Sequence, residues 1–412
     1  MRPHILQLFA AALIGSSLLA QVPEAIAQTS PELTKKVMQM ERDREKEFED
    51  YFGEDLASIT KTADQTATEL AELSSRTGAR SALLYVIPRK THLHLVLITP
   101  NGTPIVKDFY ETTDPLLFET AQQFHRSIIK LDQAATKETG KQLYDWIIAP
   151  YRDELEAAQI ELILFCLGDG VKDLALPALF DGKQYLVESS AITRIPAFNL
   201  IDTRYRPFRS GSLLAMGASS FEDKRISALP GTRAEIAAID ANLRKTPDAR
   251  HWRVSTLEDE SFTQSSINSQ FRSTPYTTLH ITTHAQFKPG SASDSYIQLW
   301  DKKLTLKTLN QIDWEKSRAN LLVLSACQTA IGDKDAANGF AGLALKAGIP
   351  TAIGTLWSIN DRSSAELISD FYEALPISET KAQALQDAQI SMLQQYKEPY
   401  YWAGFSLISA PW

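Results

Sequence analysis

Two residues of the sequence combine reactive side chains with a position at the end of an apolar run. Cys327 ends the run LLVLSAC, and His284 ends the run LHITTH, 43 residues earlier. A thiol with a pKa of about 8.5 is only slightly ionised at neutral pH, and a neighbouring imidazole raises the thiolate fraction and can protonate a leaving amine. The spacing allows one helical or irregular connection between two strands that then pair in parallel. This pattern favours a cysteine nucleophile with a histidine base, and the alternative is a buried cysteine and a histidine that only forms hydrogen bonds.

The elements that must position this pair follow from an alternation of short apolar runs with amphipathic helical stretches. Such alternation is typical of an α/β fold with a mostly parallel sheet covered on both faces by helices. In an open parallel sheet the functional crevice lies beyond the carboxyl ends of the strands, where both residues are found. The predicted strands are 81–87, 92–98, 161–167, 213–217, 278–282, 320–325 and 351–357, and the predicted helices are 32–51, 56–73, 116–131, 136–148, 232–244, 339–346, 363–375 and 380–396.

The first 27 residues differ in kind from the rest of the chain. Arg2 precedes an apolar stretch from Ile5 to Ala20, and a small-x-small sequence, Ala25-Ile26-Ala27, follows it. This arrangement is typical of a secretory signal peptide. The apolar stretch is shorter than the roughly 20 residues of a transmembrane helix, so we expect cleavage and export to the periplasm or the extracellular medium. The alternative is an uncleaved N-terminal anchor.

The composition argues against nucleic-acid binding and against a membrane-spanning protein. With 412 residues, 44% of them hydrophobic, and a net charge of −8, the chain has the composition of a soluble globular protein. It shows no basic cluster typical of nucleic-acid binding, and we expect no nucleic-acid partner and no stable membrane span. Its two cysteines do not form a disulfide framework. Cys166, in LILFCL, is expected to be a small apolar residue of a buried strand, and one optional bridge to Cys327 stays open.

Several separated stretches, taken together, resemble the CHAT domain, a family of caspase-like cysteine peptidases related to separase. The resemblance runs in order from about Ala79 to Trp412. The stretches that carry it are LLAMGASSFEDKRISALPGTRAEI, LHITTHAQF, LLVLSACQTA, GLALKAGIPTAIGTLWSINDRSSAELI and PYYWAGFSLI.

This resemblance implies a caspase-like α/β/α sandwich made of two halves. A pseudo-catalytic half would cover residues 79–205, and a catalytic half would cover residues 206–412. A segment of short helices, 28–78, would precede both.

The resemblance also implies the roles of the reactive residues, with Cys327 as the nucleophile and His284 as the catalytic histidine. The family usually has glycine after that histidine, where this sequence has Ala285. The backbone amide at this position contributes to an oxyanion hole, and glycine eases the approach of the substrate carbonyl. A methyl group is tolerated there if φ is negative, but it crowds the position, so Ala285 predicts reduced or absent activity.

Substrate recognition is predicted at the end of a neighbouring strand. Separase-type enzymes hold a basic P1 side chain with acidic residues, and Asp361 is placed to do so. The alternative is that Asp361 caps the helix predicted to begin near Ser363. Trp357 is a candidate apolar wall of the same pocket, and its alternative role is a core residue.

No cofactor is expected, and no metal site is predicted. His92 and His94 alternate along one strand face, but no Cys, Asp or Glu with ligand spacing accompanies them. His280 alternates with apolar residues within its strand and is expected to be a hydrogen-bonded core residue.

Two further functions compete with the exported endopeptidase acting on a protein or peptide substrate. One is a catalytically weak or inactive pseudo-peptidase that acts as a protein-binding or regulatory module, with the helices of 28–78 contacting the partner. The other is a zymogen that cleaves itself within residues 333–338. Cys327 and His284 favour the enzyme, whereas Ala285 and an easily oxidised exported thiol favour the module.

Overall fold

The protein was analysed as a computed structural model, which describes residues 31–52, 60–245, 251–286, 295–325, 344, 347–359 and 361–412. The predicted signal peptide, Cys327 and all but Ala344 of the predicted helix 339–346 lie outside these described residues. None of the helices among the described residues is both long enough and apolar enough to cross a membrane.

The described elements alternate between helix and strand along most of the chain. The helices are α1 (Pro31–Phe52), α2 (Ala63–Thr77), α3 (Asp114–Ile129), α4 (Gln133–Ile147), α5 (Arg152–Ala157), α6 (Gly231–Lys245), α7 (Gln264–Ser273), α8 (Trp314–Ser317), α9 (Asp361–Ala374) and α10 (Lys381–Gln395). The strands are β1 (Ser81–Arg89), β2 (His92–Ile98), β3 (Ile105–Phe109), β4 (Leu162–Leu167), β5 (Ala191–Ile195), β6 (Ser212–Gly217), β7 (Arg253–Glu258), β8 (Thr278–Thr282), β9 (Ala285–Gln286), β10 (Tyr296–Gln298), β11 (Lys303–Thr305), β12 (Leu321–Ser325), β13 (Thr351–Thr355) and β14 (Phe405–Ser409).

Eleven strands form one large sheet in the order β3-β2-β1-β4-β5-β14-β13-β12-β8-β6-β7. Most neighbouring pairs are parallel; the antiparallel ones are β1 with β2, β2 with β3, and β13 with β14. Strands β1 to β5 occupy one side of the sheet, and the strands after residue 211 occupy the other. The two groups meet where β5 pairs with β14. The predicted α/β fold with a mostly parallel sheet is confirmed.

The central strands are buried on both faces, which explains their nearly continuous apolar sequences. In β12, Leu321 and Val323 belong to one hydrophobic core, and Leu322 and Leu324 belong to a second core. Because successive side chains of a strand point to opposite faces, the two cores lie on opposite sides of the sheet. Helices α6, α9 and α10 cover the first core and α7 and α8 cover the second, so this part of the molecule has three layers.

The N-terminal helices are attached to the domain by specific contacts. Helix α2 begins with a capping box at Thr62 and ends at Gly78, whose left-handed conformation (φ 76°) stops the helix as predicted. Helix α1 carries the buried carboxylate of Glu41, which accepts hydrogen bonds from the Tyr85 hydroxyl and from the amides of Phe198 and Asn199. Burial raises the pKa of Glu41 in spite of these bonds. These contacts join α1 to β1 and to the turn after β5.

The predicted elements agree with the structure wherever an apolar run was long and uninterrupted. The predicted strand 278–282 is β8, and the predicted helix 380–396 differs from α10 by one residue at each end. The elements that were not predicted are strands β3, β5, β7, β9, β10, β11 and β14 and helices α5, α7 and α8. Strands β3 and β7 consist mostly of exposed and half-buried residues, so their sequences carry little apolar signal.

Candidate active site

The carboxyl ends of two adjacent strands define the candidate active site. Strand β8 pairs with β12 in parallel, and the register places Thr282 beside Ser325, the last residue of each strand. His284 follows Thr282 by two residues. Cys327 follows Ser325 by the same two residues and lies outside the described part of the chain. The pairing that the 43-residue spacing allowed is therefore present between the strands.

His284 is half-buried, and its ring is oriented from two sides. Its Nε2 lies 2.8 Å from the backbone carbonyl oxygen of Ser227. A carbonyl oxygen can only accept a hydrogen bond, so Nε2 carries the hydrogen and Nδ1 carries the lone pair. The ring of Phe221 packs against the imidazole, with 5.4 Å between the ring centroids. The arrangement selects the tautomer in which Nδ1 acts as a base.

The backbone on both sides of His284 is held by β10. The Gln298 amide donates to the His284 carbonyl at 2.8 Å, and the Thr283 hydroxyl donates to the Gln298 carbonyl at 2.7 Å. Both contacts connect the exit of the large sheet to the separate three-stranded sheet β11-β10-β9. The chain direction at His284 is therefore set by cross-strand bonds.

The loop that supplies the Ser227 carbonyl is clamped by Asp259. The Asp259 carboxylate accepts hydrogen bonds from the Ser219 amide and hydroxyl, from the Ser220 amide and from the Arg233 guanidinium. Burial opposes ionisation of Asp259, but these donors outweigh it and lower its pKa to about 2. Since Ser219 precedes the loop and Arg233 follows it, one carboxylate holds both of its ends.

A small cleft, open to solvent, lies at the carboxyl ends of β8, β12 and β13. The described residues that line it are rich in hydroxyl groups, and one of them carries a carboxylate. The lining residues are Leu229, Gly231, Thr232, Glu235, Thr282, Thr283, Ser325, Thr355, Ile359 and Ser364. The position agrees with the expectation that the crevice of a parallel sheet lies beyond the carboxyl ends of its strands.

Beneath the cleft, His280 belongs to a buried polar cluster. Its Nε2 lies 3.0 Å from Glu235 Oε1, and its Nδ1 lies 3.2 Å from the Tyr372 hydroxyl. The Thr282 hydroxyl donates to the other oxygen of Glu235 at 3.2 Å. His280 is fully buried. The prediction of a hydrogen-bonded core histidine is confirmed, and Glu235 joins helix α6 to the floor of the cleft.

Ala285 occupies β9 directly after His284. Its backbone φ is not positive, and its side chain is 9% exposed and belongs to the second hydrophobic core. Because Gln298 bonds to His284, the next pair, Ala285 with Ile297, is a non-hydrogen-bonded pair of the antiparallel ladder. The amide of Ala285 therefore points away from β10. The methyl group packs into the core and does not force the strained conformation in which only glycine is tolerated.

The two predicted substrate-binding residues lie at the next strand exit. Trp357 follows β13, is 1% exposed and donates from Nε1 to the Tyr400 carbonyl at 3.0 Å. It belongs to the first hydrophobic core, as its alternative role requires, and its role as a wall of the substrate pocket stays a prediction. Asp361 is the first residue of α9, two residues before the predicted helix start; its side chain lies outside the described part of the structure.

Cys166 is a free, fully buried cysteine in β4. Burial raises the pKa of its thiol, and Sγ lies 3.3 Å from the Pro196 carbonyl oxygen. Strand β4 is four strand positions from β12, or about 19 Å. Two residues beyond β12 span at most about 7 Å, and a disulfide needs Cα atoms within about 7 Å. This geometry argues against the optional bridge between Cys166 and Cys327.

The sequence matches a family model over residues 137–410, and that model describes the CHAT domain. The chain belongs to the CHAT domain family. A search of curated protein sequences finds no significant match. The resemblance that the motifs of this CHAT protein indicated is confirmed.

Among solved structures, one chain with a TM-score above 0.5 shares the fold of this CHAT protein. A chain of the Saccharomyces cerevisiae separase–securin complex matches with a TM-score of 0.55 and 8% identity, over 93% of this chain and 34% of that chain. This chain therefore spans about a third of the length of that relative. The arginine-specific cysteine proteinase gingipain R matches over 68% of this chain and 67% of its own, with a TM-score of 0.39 and 12% identity. The complex of Porphyromonas gingivalis RgpB pro- and mature domains matches over 81% and 79%, with a TM-score of 0.42 and 13% identity.

Sequence reasoning did not find three groups of this site. Ser227 contributes a backbone carbonyl, for which a sequence has no signal. Glu235 lies in a predicted helix, and nothing in the helical pattern distinguishes it from a solvated acid. Asp259 has a positive φ of 47°, and no local sequence feature indicated its partners.

We predict that Asp259→Asn lowers the free energy of unfolding by about 1–3 kcal/mol at pH 7, because the donors of Ser219, Ser220 and Arg233 lose their charged acceptor. The folded-state pKa of Asp259 lies below the unfolded value of about 3.9, so its stabilisation is complete above about pH 5 and is lost as the pH falls toward 2. Chemical denaturation of both proteins across this range measures the difference.

The matched control for this prediction is Asp223→Asn, which removes an exposed carboxylate paired with Arg225 in the same loop. It should leave stability unchanged, since exposed pairs contribute little. A stability difference between wild type and Asp259→Asn that stays constant from pH 7 to pH 2 would contradict the assignment.

Proposed function

We propose that this CHAT protein is an exported cysteine endopeptidase in which Cys327 is the nucleophile and His284 is the general base and acid. The observation that carries the proposal is the position of His284 at the exit of β8, with Nε2 committed to the Ser227 carbonyl at 2.8 Å. The adjacent parallel strand β12 leads to Cys327 from the same level of the sheet.

The proposed reaction uses the free lone pair of His284 Nδ1. Nδ1 takes the thiol proton of Cys327, and the thiolate attacks the scissile carbonyl carbon, so that a C–S bond forms. The tetrahedral intermediate collapses as the C–N bond breaks, and His284 returns the proton to the leaving amine. Water then hydrolyses the thioester with His284 as base. The Ser227 carbonyl stabilises the imidazolium that exists between these steps.

The negatively charged oxygen of the intermediate needs a donor near His284. The Ala285 amide follows the histidine directly and points away from the β10 ladder, which supports its use as an oxyanion donor. The Ala285 methyl group is packed in the core, so it does not occupy the cleft side of the strand. These observations support retention of activity in spite of the replacement of glycine.

We predict that an acyloxymethyl-ketone probe with arginine or lysine at P1 labels Cys327 in the mature protein, and that His284→Ala reduces the labelling rate by at least about 100-fold. Loss of the imidazole removes the base that supplies thiolate. Peptide mapping by mass spectrometry identifies the labelled residue, and Cys327→Ala provides the unlabelled reference.

His280→Ala is not a suitable control, because it removes a core contact. His251→Ala is suitable, since His251 is exposed and remote from β8 in sequence, and it should react like wild type. Equal labelling of wild type and His284→Ala would exclude the dyad. It would favour the pseudo-peptidase, a binding module whose N-terminal helices contact a protein partner.

The preference for a basic P1 residue is part of the same proposal and rests on Asp361. Its backbone begins α9 shortly after β13, and β13 lies beside β12 in the sheet. Ile359 and Ser364, which flank Asp361 in sequence, line the cleft. A carboxylate at this position would form an ion pair with an arginine or lysine side chain.

We predict that Asp361→Asn lowers the ratio of labelling rates for arginine and glutamine probes by about 10-fold, corresponding to about 1.4 kcal/mol. Asparagine caps helices as well as aspartate does, so this substitution retains a capping role and removes only the charge. Glu373→Gln, at an exposed position of α9, is the control and should leave the ratio unchanged. An unaltered ratio in Asp361→Asn would assign this residue to helix capping.

Export is proposed from the N-terminal sequence. We predict that expression of the full chain in a Gram-negative host yields a periplasmic protein whose intact mass corresponds to a start at Gln28. The cleavage site follows the small-x-small sequence that ends at Ala27. A full-length mass in the membrane fraction would support the anchor, and a full-length mass in the cytoplasm would exclude export.

A further inference from the structure

Three potential metal ligands converge at the edge of the large sheet, far along the strand order from the candidate active site. His92 and His94 lie in β2, and Asp108 lies in the edge strand β3. The antiparallel register places Asp108 directly opposite His94. One ligand atom from each of the three side chains lies within 4.8 Å of the other two. Sequence spacing did not reveal the carboxylate, because the hairpin separates it from His94 by 14 residues.

The geometry at Asp108 is close to that of a metal site. His94 Nδ1 lies 2.5 Å and His92 Nε2 lies 3.7 Å from the same oxygen, Asp108 Oδ1. Ligand atoms at about 2.0–2.1 Å from a tetrahedral ion lie about 3.3 Å apart. Side-chain rotations that move the ligand atoms by about 1 Å therefore convert the present hydrogen bond into metal coordination. In the coordinated state the ion takes the place of the proton between His94 and Asp108.

The surroundings orient the ligands. The Thr91 hydroxyl lies 3.0 Å from His92 Nδ1, and this contact holds the ring with Nε2 facing Asp108. The Tyr110 ring packs on His92 with 5.0 Å between centroids. The side chains of His92 and His94 are 21% and 16% exposed, so water can complete the coordination.

The charges at this face permit a cation. Neutral imidazoles and one carboxylate carry a charge of −1, which partly neutralises a divalent ion. Arg89 lies opposite His92 on β1, and it is exposed, so solvent screens its charge. Lys107 neighbours Asp108 in the strand but points to the other face, where it pairs with Glu154 at 2.8 Å.

We propose that His92, His94 and Asp108 bind one divalent transition-metal ion of the zinc class, with solvent completing the coordination. Two imidazoles and one carboxylate are ligands that Zn²⁺ accepts readily. The ion connects the edge strand β3 to β2, so it stabilises the part of the sheet that has a neighbour on one side only. The site is independent of the proposed peptidase activity.

The test is isothermal titration of the tag-free mature chain with Zn²⁺, in a Cys327→Ala background that removes the active-site thiol as a competing ligand. We expect one ion per chain. His94→Gln and Asp108→Asn should each weaken binding by more than about 10-fold, since even loss of a partner outside the coordination shell has an effect of about 10–100-fold. Zinc should also raise the melting temperature of the background protein but not of these variants.

The matched control is His251→Gln, which removes an exposed histidine that lies outside β2 and β3 and should leave the affinity and stoichiometry unchanged. Binding that is equally tight in His94→Gln and Asp108→Asn, or no binding at millimolar Zn²⁺, would overturn the proposal.

A second measurement avoids variants of the site altogether. Zinc should protect His92 and His94 from diethyl pyrocarbonate in the Cys327→Ala chain, while His251 stays reactive, and mass spectrometry reads each position. Equal modification of His92 and His94 with and without saturating zinc would also overturn the proposal.

Discussion

The parallel pairing of β8 with β12 is the constraint on which the candidate active site depends. This register brings the last residues of the two strands, Thr282 and Ser325, to the same level. Both strands are buried on both faces, and a shift by one residue would turn the side chains of each strand to the opposite face, removing Leu279 and Ile281 of β8 from the second core. Packing on either side of the sheet therefore determines where each chain leaves it. The position of His284 beyond β8 therefore follows from packing on the faces of the sheet.

A second set of contacts orients the imidazole of His284 at that position. The imidazole of His284 has two nitrogens, and the Ser227 carbonyl selects which one carries hydrogen. The carbonyl is held by a loop whose two ends bond to Asp259, a carboxylate that stays ionised in the folded protein to about pH 2. The orientation of the His284 ring thus depends on a charge that does not contact it. This explains why a residue without catalytic chemistry of its own belongs to the supporting structure of the site.

Buried polar groups on the two sides of the sheet have different kinds of partner. On the C-terminal side, Glu235 and His280 satisfy each other beneath the cleft and tie helix α6 to β8. On the N-terminal side, Glu41 binds backbone amides and attaches helix α1. His94 and Asp108 pair at the open edge of the same side, where solvent reaches them. Polar groups in the interior join elements, whereas the pair at the edge retains capacity for a ligand.

The sequence by itself determined the α/β fold class, most of the long elements, and the polar residues that end the apolar runs. An apolar run is a local property of the sequence, and it is clear where a strand such as β12 is buried on both faces. It is weak for β3 and β7, whose exposed residues carry little apolar signal, and these strands were missed. Only the tertiary structure decided that Ser227 meets His284, that Glu235 meets His280 and that Asp108 meets His94. These partners are backbone atoms or ordinary surface-type acids, and long-range packing alone brings them together.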